Sequence, residues 1–276
     1  VSEPIESAPI FDRADGVRLA VIGGGNMGAA LVGGLLATGW TVDEIVIVEV
    51  LAERRNELAE LLPHVICSDT IPQCAAALIA VKPKDAPTVA AAAVAAGAGR
   101  LLSIAAGVSL ATLEAAAGDG VAVVRAMPNT PALVGQGAAA IAAGANATAA
   151  DLHWAEQILG AVGTVTTVDE ADLDAVTGVS GSGPAYLFLI AEALIDAGVD
   201  AGLERPIADA LVRQLFTGSA ALLASGDDPA DLRRRVTSPG GTTAAGIAVM
   251  EAGGVRELFA ATVRAASERS RELGRA

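Results

Sequence analysis

Three glycines spaced Gly23-x-Gly25-x-x-Gly28 constrain this chain more than any other feature. They follow an apolar run, VRLAVI at Val17–Ile22, and they open a stretch of helical character, AALVGGLLAT at Ala29–Thr38. A strand, a glycine turn and a helix in that order form the first unit of a dinucleotide-binding fold. The first Gly permits the tight turn, the second lets the backbone approach a pyrophosphate, and the third allows close packing of the helix. The helix start supplies N–H groups to phosphate through Gly25, Asn26, Met27 and Gly28. A glycine string alone is weak evidence, and its flanks are what make it informative.

The chain continues in the same style. Glu44–Val50 gives a second apolar run, and Leu51–Leu62 a charged amphipathic helix stopped by Pro63. Ala75–Val81, Leu101–Ile104, Val121–Arg125, Ala138–Ala142 and Val162–Val168 read as further strands, with a short helix at Leu110–Ala117. Strands apolar throughout and alternating with helices predict a mostly parallel sheet covered on both faces, an α/β Rossmann-type domain. After Gly178 the period changes. Leu187, Ile190, Ala191 and Leu194 fall at helix spacing, and Arg205–Ala224, Pro229–Arg235, Thr243–Met250 and Val255–Leu273 continue as helices. The expected division is a flexible leader at 1–16, a dinucleotide-binding domain at 17–178 and an all-helical domain at 179–276.

Several candidate residues sit after strands, where open sheets bind ligands. Glu49 ends the second apolar run and is placed to accept hydrogen bonds from an adenosine ribose, which favours NAD. Arg54 and Arg55 follow closely, either as a solvated helix face or as partners for a 2′-phosphate, so the choice between NADH and NADPH stays open. Lys82 is one of only two lysines; it ends a strand in Ala80-Val81-Lys82-Pro83, as a cofactor contact or as a lysine reaching for water. Ala105-Ala106-Gly107 and Asn129 also follow strands; Asn129 either pairs with the nicotinamide amide or fixes its own loop. Ser180-Gly181-Ser182-Gly183-Pro184 reads as a cap and turn before the next helix, or as a lining of the nicotinamide region. Near the end, Ser238-Pro239-Gly240-Gly241-Thr242-Thr243 enters an apolar helix. Consecutive N–H groups and hydroxyls there make a carboxylate site without arginine, or simple N-caps.

Composition closes off other classes. The net charge of -14 gives no general attraction for nucleic acid or anionic lipid. Two cysteines and two histidines provide neither a disulfide framework nor a metal cluster, so no metal is expected. The mean hydropathy of +0.52 is high, yet we see no uninterrupted apolar span, and a soluble protein of the cytoplasm is expected.

Together IGGGNMG, AVKP, SIAAGV, RAMPNTPALVGQG, GVSGSGPAY and SPGGTTAAG, in this order, resemble the pyrroline-5-carboxylate reductase family, nearly throughout the chain after residue 16. The resemblance implies hydride transfer from NADPH or NADH to the C=N bond of 1-pyrroline-5-carboxylate, giving L-proline. It implies that AVKP and Ala105–Gly107 contact the cofactor. It implies that Ser238, Gly241, Thr242 and Thr243 hold the substrate, Thr243 facing the ring nitrogen. It also implies a homo-oligomer paired through the helical domain, a dimer or a pentamer of dimers. Glu49 departs from the family's usual small or polar residue. A protonated imine is already electrophilic, which agrees with the absence of a His–Asp pair. A β-hydroxyacid dehydrogenase of the same build is disfavoured because no lysine follows Lys84. A reductase of a related cyclic imine and a nonenzymatic nucleotide binder remain as alternatives.

Overall fold

The computed structural model describes residues 17–274; the expected leader at 1–16 lies outside the described residues. The chain divides into two compact units, one running to Gly181 and taking back the residues from Ala266 onward, the other Ser182–Ala265. The expected boundary at 178/179 lies just before that division. The end of the chain, expected with the helices, groups with the first unit.

The first unit is an eight-stranded sheet. Its strands are β1 (Val17–Ile22), β2 (Ile45–Val48), β3 (Ile66–Ser68), β4 (Cys74–Ile79), β5 (Arg100–Ser103), β6 (Ala122–Met127), β7 (Gly137–Ala143) and β8 (Gly163–Thr167). They are ordered β3-β2-β1-β4-β5-β6-β7-β8. All neighbours are parallel except β6 and β7. The first six strands follow the doubly wound order, with its switch point between β1 and β4. Helices α1 (Asn26–Ala37), α2 (Ala52–Leu61), α3 (Ala86–Ala95), α4 (Leu110–Ala117) and α5 (Ala149–Gly160) connect the strands. Two apolar clusters result, one on each face: Leu19, Leu35, Ile47 and Leu102 contribute to the first, Ile79, Leu101, Leu113 and Val123 to the second. Strand residues alternate between them, which is why the strands are apolar throughout.

The run from Leu173 to Asp200 is nearly continuous helix: α6 (Leu173–Val176), a π-helical turn at Thr177–Gly181, and α7 (Gly183–Asp200). The expected cap and turn at Ser180–Pro184 is therefore a widened helical turn. Its hydroxyls back-bond to carbonyls one turn earlier, Thr177 Oγ1 to Leu173 O and Ser180 Oγ to Val176 O. Pro184 is tolerated because it stands in the first turn of α7. By length and composition the stretch Glu170–Asp200 is long and apolar enough to cross a membrane; its most apolar 18-residue window has a mean hydropathy of 1.3 and is 6% buried. This corrects the expectation of no apolar span: no charge falls between Asp174 and Glu192, and the small residues at 180–184 mask the run.

The second unit contains α7, α8 (Arg205–Leu223), α9 (Pro229–Arg235) and α10 (Thr242–Ala252), with most of α11 (Val255–Leu273). Its helices leave Phe188, Leu189, Leu211, Leu222 and Val249 exposed. The last turns of α11 belong to the first unit, where Ser267 and Ser270 are buried and Ser270 Oγ donates to Asp174 Oδ1 at 2.7 Å.

Candidate active site

Two expected cofactor segments meet at the switch point. β1 leads into Gly23 and β4 into Ala80, whose N–H donates to Ile22 O at 2.8 Å. Gly23 has a φ of +111°, and a Cβ there would strike the carbonyl of Ala80. A Cβ on Gly28 would strike the carbonyl of Gly23. Around Gly25 there is nothing within 4 Å, so packing does not require its missing side chain. Gly25 is also the N-cap of α1, with no side chain bonded to the helix start. The free space lies where a pyrophosphate would need it, beside unspent N–H groups, so the residues present fit a dinucleotide. Asn26 is exposed beside this space, whereas Met27 packs against the core and offers the cofactor its backbone alone.

On the β2–α2 side of the turn, where an adenosine is expected, lies an open cleft of about 700 Å³, lined by Gly25, Glu49, Leu51, Ala52, Glu53, Arg54 and Glu57. Glu49 uses both carboxylate oxygens on its surroundings. Gly24 N–H donates to Oε2 at 3.1 Å and Leu51 N–H to Oε1 at 2.9 Å. Arg54 donates from Nε to Gly24 O at 2.7 Å and from Nη1 to Glu57 at 2.6 Å. Arg55 donates to the carbonyls of Glu49 and Val50. The two arginines are therefore more than a solvated helix face: Arg54 ties α2 to the glycine turn, and Arg55 staples the loop that carries Glu49.

On the other side of the switch point, Val81 is half-buried, while Lys82 and Pro83 are exposed as the chain turns into α3. After β5, Ala105 and Gly107 are buried and Ala106 is exposed, and Ala105 N–H donates to the buried Ser103 hydroxyl at 3.3 Å. Gly107 has a φ of +77°, and its open face is filled by the end of α11: a Cβ would lie 3.2 Å from Gly274 N and 3.4 Å from Leu273 Cβ. Sequence reasoning missed this contact. Asn129 is buried, and both ends of its amide are spent on the chain: Nδ2 donates to Ser180 O at 3.0 Å, and Oδ1 accepts from Ala138 N at 2.8 Å. Of its two readings the geometry favours loop fixing over a bond to nicotinamide. Sequence reasoning also missed Arg125 and Glu170. Arg125 Nη1 donates to Glu170 Oε1 at 2.9 Å, and the same oxygen accepts from Leu110 N, tying β6 to the start of α4.

In the helical unit, Gly241 is the N-cap of α10 and no side chain caps the helix. Gly241 N–H returns to Ser238 O at 3.1 Å, and the Ser238 hydroxyl fills the space a Gly241 side chain would need. Thr242 and Thr243 are exposed on the first turn. The simple capping alternative for these hydroxyls is absent, and an uncapped start among exposed hydroxyls suits a carboxylate. Among the described residues no His/Cys/Asp/Glu group could hold a metal ion.

Residues 170–273 match the family model for pyrroline-5-carboxylate reductase dimerisation. Residues 18–107 match that for coenzyme F420-dependent NADP oxidoreductases. A pyrroline-5-carboxylate reductase of Mycobacterium tuberculosis is 42% identical, over 93% of this chain and 96% of its own. The Pseudomonas aeruginosa enzyme is 44% identical, with the same coverage. Among solved structures, a pyrroline-5-carboxylate reductase from Coxiella burnetii superposes with a TM-score of 0.86 at 34% identity, covering 93% of this chain and 98% of that one. The Plasmodium falciparum pyrroline carboxylate reductase with NADP bound gives 0.81 at 30% identity, covering 94% and 98%.

Proposed function

Because the chain belongs to the pyrroline-5-carboxylate reductase family, we infer that it reduces the C=N bond of 1-pyrroline-5-carboxylate to L-proline with NADPH or NADH. The observation that carries this reading is a matched pair of open helix starts. One, at Gly25, adjoins the glycine turn at the switch point; the other, at Gly241, adjoins the Ser238–Thr243 hydroxyls. The first suits a pyrophosphate and the second a substrate carboxylate.

When bound, the reduced nicotinamide supplies the hydride for the imine carbon. The chain's own task is to hold, orient and exclude water. Gly23, Gly25 and Gly28 bring backbone to the pyrophosphate. Ala80–Pro83 and Ala105–Gly107 flank the nicotinamide half, and Asn129 keeps the β6–β7 loop in register. Ser238, Gly241 and Thr242 take the substrate carboxylate. Thr243 hydrogen-bonds at the ring nitrogen, as an orienting group and not a strong acid, because an unperturbed hydroxyl is too weak for that. The absence of lysine beyond Lys84 disfavours β-hydroxyacid chemistry.

The exposed apolar faces of α7 and α8 support pairing of two copies through the helical unit, a pentamer of such dimers being the further assembly we propose. That pairing would cover α7 in a protein of the cytoplasm with no membrane. The deciding experiment follows oxidation of NADH and NADPH, in parallel, by near-ultraviolet absorbance on adding 1-pyrroline-5-carboxylate. Imine-dependent oxidation with proline as product is expected. A folded protein that binds dinucleotide and oxidises neither overturns the reading in favour of a nonenzymatic binder.

A further inference from the structure

The adenosine cleft carries an unbalanced set of charges. Its lining presents the carboxylates of Glu49, Glu53 and Glu57 against the single guanidinium of Arg54. That guanidinium is already paired with Glu57 and with the Gly24 carbonyl. The other nearby cation, Arg55, is turned to the carbonyls of Glu49 and Val50, with Asp69 4.0 Å from its Nη2. Neither arginine therefore brings an uncompensated charge to the cleft.

Glu49 itself is a fixture. The N–H groups of Gly24 and Leu51 hold one carboxylate oxygen each. Each oxygen of an ionised carboxylate has a second lone pair, so both can still accept a hydrogen bond. A ribose 2′-hydroxyl is a neutral donor and satisfies that need. A 2′-phosphate is an acceptor carrying about −1.5 to −2 charges, and it would meet an anion that the backbone prevents from swinging away. We propose that this reductase selects NADH over NADPH, and that Glu49, pinned by Gly24 and Leu51, is the residue that sets the preference. The proposal rests on the dinucleotide reading of this cleft and refines it.

Calorimetric titration of the full chain with NADH and with NADPH, without imine, tests it directly. The expected ratio of dissociation constants is about tenfold or more in favour of NADH, since a like-charge contact in a partly screened site carries at least that factor. The ratio should shrink at high salt. In Glu49→Gln the ratio should fall at least about fivefold, mainly through tighter NADPH binding. Glu53→Gln removes a charge without touching the loop anchors, and should shift the ratio the same way by a smaller factor. Equal or tighter binding of NADPH to the unmodified chain overturns the proposal. So does a Glu49→Gln chain that binds NADH and keeps the original ratio. The outcome is separable from the enzymatic reading. NADH preference without imine reduction refutes turnover alone, and turnover with equal affinities refutes selection alone.

Discussion

The sheet unit completes its core inside one chain, and the helical unit does not. Leu31, Leu35, Ile45, Leu78, Leu102 and Ile141 are fully buried in the first. In α7 no residue is buried, and α8 buries only Ala208 and Val212, while Phe188 and Leu189 are 64% and 66% exposed. Each large apolar side chain left in water forfeits about 1.5–3 kcal/mol, and contiguous exposed apolar faces mark interaction surfaces. One unit is therefore stabilised by its own sequence, and the other by a second copy of that sequence.

A charge on the helical face is the strongest way to break this contrast. Phe188→Asp should separate the copies in light scattering and lower turnover about a hundredfold or more, because an unpaired carboxylate would be buried on association. NADH affinity should be preserved. An intact assembly with full activity would mean the contrast has been misread.

Core truncation sharpens it. Leu102→Ala should cost about 2–5 kcal/mol in urea denaturation, independent of protein concentration. Leu222→Ala, at an exposed position of α8, should lower the melting temperature by an amount that depends on concentration, as stability linked to association must. Equal behaviour of the two variants would remove the distinction.

A smaller effect is expected at the loop proposed to hold the substrate, Ser238–Thr243. Thr243→Ala removes one orienting hydroxyl and should reduce turnover about tenfold, roughly the worth of one hydrogen bond. Cofactor affinity, which the sheet unit provides, should not move. Unchanged turnover would take Thr243 out of the mechanism.

The mildest test reads how tightly the sheet is closed. Burial pushes the Cys74 thiol up to about 11, and raises Cys67 as well, less strongly opposed by the charge of Arg55. Native protein at about pH 8 should alkylate slowly at Cys67 and scarcely at Cys74, because the thiolate is the reactive form. The fold favours the neutral thiol of Cys74. The stability it contributes is complete below the ordinary value of 9.0 and is lost as pH rises towards about 11. Rapid labelling of Cys74 in folded protein would show an open sheet.

Much of the sheet unit was legible because a buried parallel strand must be apolar throughout, and a glycine turn must follow the first one. β3 escaped notice because three residues, Ile66–Ser68, carry no period. α3 escaped because its Ala-rich sequence has little contrast between its faces. In the helical unit the period revealed helices but not what covers them, since a face buried by a neighbouring helix and one buried by another molecule look alike in one sequence. The glycine roles could be read from spacing. The double anchorage of Glu49, the spent amide of Asn129 and the Arg125–Glu170 tie could not, because each includes a partner far away in the chain, reached through polar atoms with no periodicity. The buried end of α11 was hidden for a related reason: its inward residues are Ser267 and Ser270, which a hydropathy pattern assigns to water.

That last turn also sets an order of events during synthesis. The loop at Ala105–Gly107 emerges from the ribosome well before Leu273 and Gly274, which close against Gly107 from the end of α11. The nucleotide-binding unit precedes the helical unit in the chain and is finished after it. Its sheet can form while the chain is still growing, whereas the packing of the Ala105–Gly107 loop waits for a contact of very long sequence separation, the slowest kind to close. A chain cut short inside α11 would therefore carry a complete sheet and an unsupported loop at Ala105–Gly107.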